Sequence, residues 1–221
     1  MGLRKGEADI KHKVHEKYYS DATESADIHI IENVTEYNLQ AYVTQHFGNV
    51  EWDCRIVKID PRIFGFGCAR PRIYGVIWNV AYMGPWKPDF PFLEVLGALR
   101  ESNLHDYDDP KMFSKKGWQV ADLNQLVRNG RGRTECKDRS LMTLTTNSGK
   151  LFSKASRRVM QPLELFATHV LPVTPSQSEA AMAPMLQLDN ACTTASVRMS
   201  GNAMSVPCIG AVLVATILGL S

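Results

Sequence analysis

"GFGCARPRIYGVIWN", residues 65–79, places two arginines at the start of an otherwise apolar run. The apolar run predicts a buried strand. Side chains two residues apart on a strand point to the same face, so Arg70 and Arg72 are expected to reach toward one place. Two guanidinium groups aimed at one place predict an electron-rich group between them.

The residues before this run predict the order strand, helix, strand, loop, strand. "ADIHIIENV", residues 26–34, is typical of a core strand of a parallel sheet, with Glu32 and Asn33 at its carboxyl end. "TEYNLQAYVTQHFG", residues 35–48, has apolar residues at helical spacing and ends in glycine. "WDCRIVKID", residues 52–60, predicts the next strand. This order is typical of an α/β fold, in which ligands bind beyond the carboxyl ends of strands.

The composition is that of an ordinary globular protein. With 221 residues, 22% charged residues and a net charge of +2, the chain is long enough for one domain with a small lobe, and its charge does not indicate a nucleic-acid partner. Five cysteines are scattered without a CxxC pair, which favours reduced thiols and an intracellular protein. The polar N-terminus has no apolar core of a signal sequence.

After residue 83 the pattern becomes irregular and basic. "MGPWKPDFPF", residues 83–92, is broken by prolines, and residues 111–158 are rich in Lys and Arg interleaved with Trp118 and glycines. Such a charge run is either a solvated surface or a lobe that contacts phosphates. Both interpretations remain open from the sequence.

The last third of the chain predicts helices. "MQPLELFATHVLP", residues 160–172, is typical of a helix with proline in its first turn, and a Ser/Thr/Ala/Pro linker is expected over residues 173–183. "SGNAMSVPCIGAVLVATIL", residues 200–218, predicts a Gly-Asn turn followed by a buried helix. Its apolar run is shorter than the roughly 20 residues of a membrane span, so no membrane partner is expected.

Three polar pairs, Glu32 with Asn33, Arg70 with Arg72 and Gly201 with Asn202, stand at the ends of apolar elements. Singly they are common turns or surface charges. In this order they resemble motifs of the cytosine-C5 DNA methyltransferases. "IIENV" is similar to the Glu-Asn-Val motif of that family, and "GCARPRIYGV" to its Gln-x-Arg-x-Arg strand, with cysteine in the glutamine position. The other similar segments are "LTTNSGKLF…RRVMQPLELFATHVLP", with Arg158 and Glu164 in motif positions, and the terminal Gly-Asn segment.

The resemblance implies a role for each of these residues. Glu32 would hydrogen-bond N3 of a flipped cytosine, Arg72 would contact its O2, and Arg70 would order the surrounding site. Substrate-binding positions would include Asn33 and Val34. The S-adenosylmethionine cofactor would be contacted by Gly201 and Asn202, and no metal is implied.

Two family motifs are absent from residues 1–24: a Gly-rich Phe-x-Gly-x-Gly turn for S-adenosylmethionine and a Pro-Cys loop with the nucleophilic thiol. Pro207 and Cys208 form a Pro-Cys pair, but Cys208 opens an apolar helix and is expected to be a small buried residue. The cofactor site is therefore expected to be incomplete, and the chain inactive without a complementary N-terminal half. Without that half, the Glu-Asn-Val strand would be an exposed edge. A truncated gene model, half of a split enzyme and a poorly folding fragment are three explanations.

The expected architecture is the second half of a Rossmann-like methyltransferase sheet with a small irregular target-recognition lobe. The expected segments are a lead-in (1–24), a partial catalytic sheet (25–83), a target-recognition-like basic lobe (84–157) and C-terminal helices returning to the catalytic domain (158–221). The resemblance implies DNA as the partner and, for a eukaryotic source, a nuclear location. An RNA-directed relative and a non-catalytic nucleic-acid-binding or regulatory remnant stay open as alternatives.

Overall fold

The computed structural model describes two compact units. The first unit takes Met1–Ile59, Arg72–Phe92 and Val214–Ser221, and the second takes Asp60–Pro71 and Leu93–Leu213. Most of the basic lobe predicted at 84–157 lies outside the described residues, and the predicted segment boundaries stay predictions. The described residues are 17, 26–48, 51–64, 66–91, 94–95, 120–123, 141–145, 151–153, 157–188 and 193–220.

Both units contain strands and helices. The elements of the first unit are β1 (Ile28–Val34), α1 (Leu39–Phe47), β2 (Trp52–Ile59), β3 (Arg72–Asn79) and α2 (Val80–Met83). Those of the second are a 3-10 turn (Pro61–Phe64), β4 (Val120–Asp122), β5 (Leu151–Ser153), β6 (Arg158–Val159), α3 (Pro162–Ala167), α4 (Pro175–Ala181) and α5 (Thr193–Asn202). The last helix, α6 (Val206–Leu220), begins in the second unit and ends in the first.

The sheet of the first unit has the order β1-β3-β2, and β3 is antiparallel to both neighbours. The expectation that residues 26–34 form a core strand of a parallel sheet is therefore wrong. β1 and β2 do run in the same direction, as strands joined by a helix usually do. The chain then reverses after β2, and β3 enters between them, which makes every pairing in this sheet antiparallel.

The predicted helix after β1 is confirmed. α1 buries its apolar residues Leu39, Tyr42, Val43 and Phe47, and it begins at Asn38, whose Oδ1 accepts a hydrogen bond from the Ala41 amide at 3.1 Å. This apolar face packs against Ile31, Ile73 and Ile77 on one side of the sheet. Each fully buried side chain of this size stabilises the fold by about 1.5–3 kcal/mol.

The opposite side of the sheet is covered by aromatic residues and the end of α6. Trp78 of β3 contacts Trp86 at 5.2 Å between ring centroids, and the Arg55 guanidinium lies 4.9 Å from the centre of the Trp86 ring. The Gly219 carbonyl accepts a hydrogen bond from the Lys87 amide, which fixes the last turn of α6 next to Trp86. The sheet is thus enclosed between α1 and this second layer.

The second unit has a short antiparallel sheet, β4-β5-β6, and two apolar clusters. The helix predicted from Pro162 is confirmed as α3, with proline in its first turn. The linker expected over residues 173–183 is wrong, because it contains α4. Thr174 and Gln177 form a reciprocal capping box that starts this helix, and Pro175 occupies its first turn.

The terminal helix is only partly buried. Cys208, Val212 and Ala215 are inaccessible to solvent, whereas Ile217 is 64% exposed, so the expectation of a buried helix holds for one side of α6. Among the described residues the stretch Thr194–Leu220, which runs through α5 and α6, is long and apolar enough to span a membrane. Its most apolar part has a mean hydropathy of 2.2 and is 39% buried. Core helices of globular proteins meet the same criterion.

Two glycines of α6 provide a matched test of its packing. A methyl group at Gly219 would collide with the Trp86 ring, whereas one at Gly210 would meet nothing within 4 Å. We expect Gly219→Ala to lower the free energy of unfolding by about 1–3 kcal/mol through overpacking. Gly210→Ala should leave it unchanged or raise it by up to about 1 kcal/mol. Chemical denaturation measures the free energy of unfolding of both variants. Equal changes would contradict the packing of Gly219 against Trp86.

A buried histidine should make stability fall in acid. His29 lies between Phe47 and Trp52, and burial lowers the pKa of its imidazole below the usual value. The folded state therefore binds this proton less readily than the unfolded state. The contribution of His29 to the free energy of unfolding is fully present above about pH 6.5 and is lost as the pH falls through the folded-state pKa. We expect His29→Phe to flatten the dependence of the free energy of unfolding on pH between 7 and about 5. An unchanged dependence on pH in the variant would show that groups other than His29 determine it.

Candidate functional site

The carboxyl end of β1 lies beside the start of β3 because the two strands are antiparallel. In their register Glu32 is opposite Tyr74, and Val34 is opposite Arg72. Side chains alternate along each strand, so these four residues share the face of the sheet that carries Trp78. Residues two apart on neighbouring strands are diagonal neighbours, which brings Glu32 and Arg72 within reach of each other.

Glu32 and Arg72 form an ion pair on this face. The Arg72 Nε lies 3.0 Å from Glu32 Oε1, and the two side chains are 12% and 16% exposed. A pair so far removed from water interacts more strongly than a surface salt bridge. The carboxylate can accept hydrogen bonds and the guanidinium can donate them, so the pair suits a ligand that presents a donor next to an acceptor.

Tyr74 is a neighbour that the sequence argument missed. It is 1% exposed and lies directly opposite Glu32 in the sheet. The alternation of side chains along β3 predicts it, because Arg72 and Tyr74 are two residues apart and therefore share a face. Tyr74 is therefore a buried neighbour of Glu32 on the same face of the sheet.

Asn33 and Val34, the predicted substrate-binding residues, end β1 with different orientations. Asn33 Oδ1 accepts a hydrogen bond from the Val34 amide at 2.8 Å, which stabilises the chain as it leaves the strand. By strand alternation Asn33 points toward the α1 side of the sheet and Val34 toward the Arg72 side. Both are partly exposed, and their proposed contact with substrate stays a prediction.

Arg70 does not share a strand face with Arg72, contrary to the expectation from the sequence. β3 begins only at Arg72, because the proline at position 71 has no N–H to give to the ladder. Arg70 belongs to the second unit and is 3% exposed. Its Nη1 and Nη2 donate hydrogen bonds to the carbonyl oxygens of Leu144 and Gly201, each at 3.3 Å.

Gly201 and Asn202, the predicted cofactor residues, are the last residues of α5 and not a turn that opens α6. Gly201 is buried with its carbonyl oxygen bound to Arg70, whereas Asn202 is exposed. The structure therefore groups Glu32 with Arg72 in the first unit and Arg70 with Gly201 in the second. Their roles toward a cofactor or a base stay predictions.

Arg158 and Glu164, the other motif positions, form a bidentate ion pair in the second unit. Arg158 Nη1 and Nη2 lie 2.7 and 2.5 Å from the two carboxylate oxygens. The hydrogen bonds that the Arg158 guanidinium donates to Glu164, together with the charge of that carboxylate, raise the pKa of the guanidinium. Glu164 Oε2 also accepts a hydrogen bond from the Gln161 amide at 2.6 Å, so the pair anchors the start of α3.

The turn after β1 lacks the glycines of a common nucleotide cradle. A Gly-rich turn between a strand and a helix is the usual phosphate or nucleotide cradle, yet the turn from β1 to α1, residues 35–38, contains no glycine. Gly201 already uses its carbonyl oxygen on Arg70, and Asn202 stands at a helix end. Nor does the described part of the chain hold a cluster of three or more His, Cys, Asp or Glu that could bind a metal.

The described thiols are not accessible nucleophiles. Cys68 and Cys208 are buried at 2% and 0% exposure. Cys54 of β2 packs on the α1 side of the sheet, opposite to the side of Glu32, and burial together with the nearby Asp53 charge raises the pKa of its thiol. None of the three is an accessible thiolate. Cys136 and Cys192 lie outside the described residues.

The strength of the ion pair can be measured against an exposed pair in the same chain. We expect a double-mutant cycle of Glu32→Gln and Arg72→Gln to give a coupling energy of about 1–3 kcal/mol. The same cycle for Asp60 and Arg62, where Arg62 is 41% exposed, should give about 0.2–1 kcal/mol. Equal coupling energies, obtained from denaturant unfolding, would show that partial burial does not strengthen the pair.

Comparison with known proteins relates this fold to methyltransferases. The sequence matches no family model and no curated relative. The structure resembles the Schizosaccharomyces pombe Dnmt2 methyltransferase with a TM-score of 0.54 and 13% identity, covering 87% of this chain and 65% of that one. It resembles the Entamoeba histolytica methyltransferase EhMeth with a TM-score of 0.57 and 14% identity, covering 100% of this chain and 73% of that one.

These likenesses show the fold of the chain. The expected mixed α/β class is confirmed, although the described sheets are antiparallel. The chain spans less than two thirds of the length of the S. pombe protein, so about a third of that protein has no counterpart here. The chain has an α/β fold similar to part of these two methyltransferases.

Proposed function

We propose that this chain is the C-terminal portion of a cytosine-C5 methyltransferase that acts on DNA and is inactive without a complementary N-terminal portion. The observation that carries the proposal is the ion pair between Glu32 and Arg72 at the end of β1. It joins the acid of the Glu-Asn-Val segment to the second arginine of the Arg-x-Arg segment. The methyltransferase fold of two solved structures supports the same assignment.

The chemistry of cytosine explains why an acid and a cation are needed together. Carbon 5 becomes nucleophilic only after a thiolate adds to carbon 6, and a hydrogen bond from a carboxylic acid to N3 helps that addition by taking up the negative charge that develops on the ring. In the proposal Glu32 supplies this hydrogen bond. Arg72 donates to the O2 oxygen and holds the flipped base against the acid.

In this proposal the rest of the chemistry comes from the complementary portion. The described cysteines are buried or packed on the side of the sheet opposite to Glu32, and the turn after β1 contains no glycine. The donor would be S-adenosylmethionine, which supplies an activated methyl group when bound. We assign both the nucleophilic thiol and the donor site to the complementary portion.

Covalent trapping on fluorinated substrate tests this proposal. A fluorine at carbon 5 blocks the step that removes a proton from that carbon, so the enzyme stays attached to the base. We expect the lone recombinant chain to transfer no methyl group and to form no adduct. The chain purified through a C-terminal tag from the cells that express it should form an adduct with DNA that contains 5-fluorocytosine.

Two carboxylates in neighbouring positions give the matched control. Glu32→Gln in the tagged protein should lower the rate of methyl transfer by about 100-fold to 10,000-fold, whereas Glu36→Gln, an exposed residue of the following turn, should leave it within about twofold. Transfer by the lone chain, or full activity of Glu32→Gln, would overturn the proposal. An adduct with fluorinated RNA and none with DNA would show that the substrate is RNA. Binding of nucleic acid without an adduct would indicate a non-catalytic role.

A further inference from the structure

Arg70 joins two segments of the second unit that lie far from it in sequence. Its Nη1 donates a hydrogen bond to the carbonyl oxygen of Leu144 and its Nη2 to that of Gly201, across separations of 74 and 131 residues. The side chain that makes these bonds is buried. A guanidinium is planar and presents its nitrogens as a rigid fork, so it holds two acceptors at a set separation.

The segment that carries Arg70 is also paired with residues 141–145 through the backbone. Leu141 exchanges two backbone hydrogen bonds with this segment, at 2.6 and 2.7 Å, and the second of them comes from the Ala69 amide. Thr143 Oγ1 donates a third bond, to the Ala69 carbonyl oxygen at 2.6 Å. The bond from the Arg70 fork therefore extends an existing pairing. Residues 141–145 belong to the lobe that the sequence predicts to contact nucleic acid.

The other prong of the fork holds the end of α5. The last carbonyl groups of a helix have no partner within it, and a cation placed there satisfies them and interacts favourably with the helix dipole. Arg70 does this for Gly201. The Ala203 amide closes the last turn by donating to the Ser200 carbonyl oxygen at 3.2 Å. Asn202 is exposed at this fixed end.

We propose that Arg70 is a positioning residue through which the methyl donor and the nucleic acid each strengthen the binding of the other. This inference rests on the proposed function, in which the end of α5 contacts the donor and the lobe contacts nucleic acid. A ligand that orders one side of the junction also orders the other side through the fork. The second ligand then loses less conformational entropy when it binds.

The conservative variant Arg70→Lys tests the fork, because it keeps the charge but replaces two separate nitrogens with one. S-adenosylhomocysteine is the probe, since it resembles the donor but has no methyl group to transfer. It should raise the affinity of the tagged protein for a DNA duplex, measured by fluorescence anisotropy, by at least about fivefold. In Arg70→Lys the increase should fall below about twofold. Arg62→Lys, in the same segment but at the surface, is the matched control and should keep the full increase.

This ratio of affinities separates positioning from a loss of folded protein. A partly unfolded variant has fewer active molecules, but the factor by which the probe raises the affinity of the remaining molecules stays the same. By thermodynamic linkage, DNA should raise the affinity for S-adenosylhomocysteine by the same factor as the probe raises the affinity for DNA. Calorimetry of the probe with and without DNA measures that factor independently.

Hydrogen exchange of the lone recombinant chain tests the junction without a ligand. In Arg70→Lys, peptides covering residues 141–145 and 193–204 should exchange at least about fivefold faster than in the wild type, because both segments lose a bond to the fork. A peptide covering Ile28–Val34, in the first unit, should exchange at an unchanged rate. All three peptides should be unchanged in Arg62→Lys.

Each outcome decides the role of Arg70. The same increase in Arg70→Lys as in the wild type, no increase in the wild type, or unchanged exchange of both peptides would overturn it. Loss of the increase in Arg70→Lys, in a protein that forms no adduct with 5-fluorocytosine, would support the role of Arg70 and overturn only the proposed function. A protein that forms the adduct but shows the same increase with either residue at position 70 would do the reverse.

Discussion

The antiparallel pairing of β1 with β3 is the constraint on which the candidate site depends. Its register sets Glu32 opposite Tyr74 and Val34 opposite Arg72, and so brings an acid and a guanidinium from segments 40 residues apart to one face of the sheet. A slip by one residue would send Glu32 to the α1 side and separate the pair. The apolar packing of α1 on Ile31, Ile73 and Ile77 holds that register, because those residues must stay on the buried side.

Local patterns predicted the elements better than their pairing. The helical spacing after β1 and the proline at position 162 predicted α1 and α3, since both signals arise within one turn of helix. α4 was missed because its Ser/Thr/Ala composition hid the cap formed by Thr174 and Gln177. The direction of β3 could not be predicted, because an apolar strand buried on both faces has the same pattern in either orientation.

The candidate site was predicted in part for similar reasons. Strand alternation and a motif resemblance singled out Glu32 and Arg72, and the sheet brings them together. The expectation that Arg70 shares this face was wrong, because it required the strand to extend through the proline at position 71. The carbonyl partners of Arg70, on Leu144 and Gly201, are 74 and 131 residues away in sequence, and no local pattern predicts contacts of that separation.

In the proposed enzyme this chain holds the base, and the complementary portion supplies the thiol and binds the methyl donor. The most direct measurement is a crystal structure of the tagged complex trapped on a 5-fluorocytosine substrate. The account predicts the Glu32 carboxyl group within about 3.2 Å of N3 and an Arg72 nitrogen within about 3.2 Å of O2 of the flipped base. A trapped base that contacts neither residue, while Glu32 and Arg72 stay paired away from it, would contradict the account.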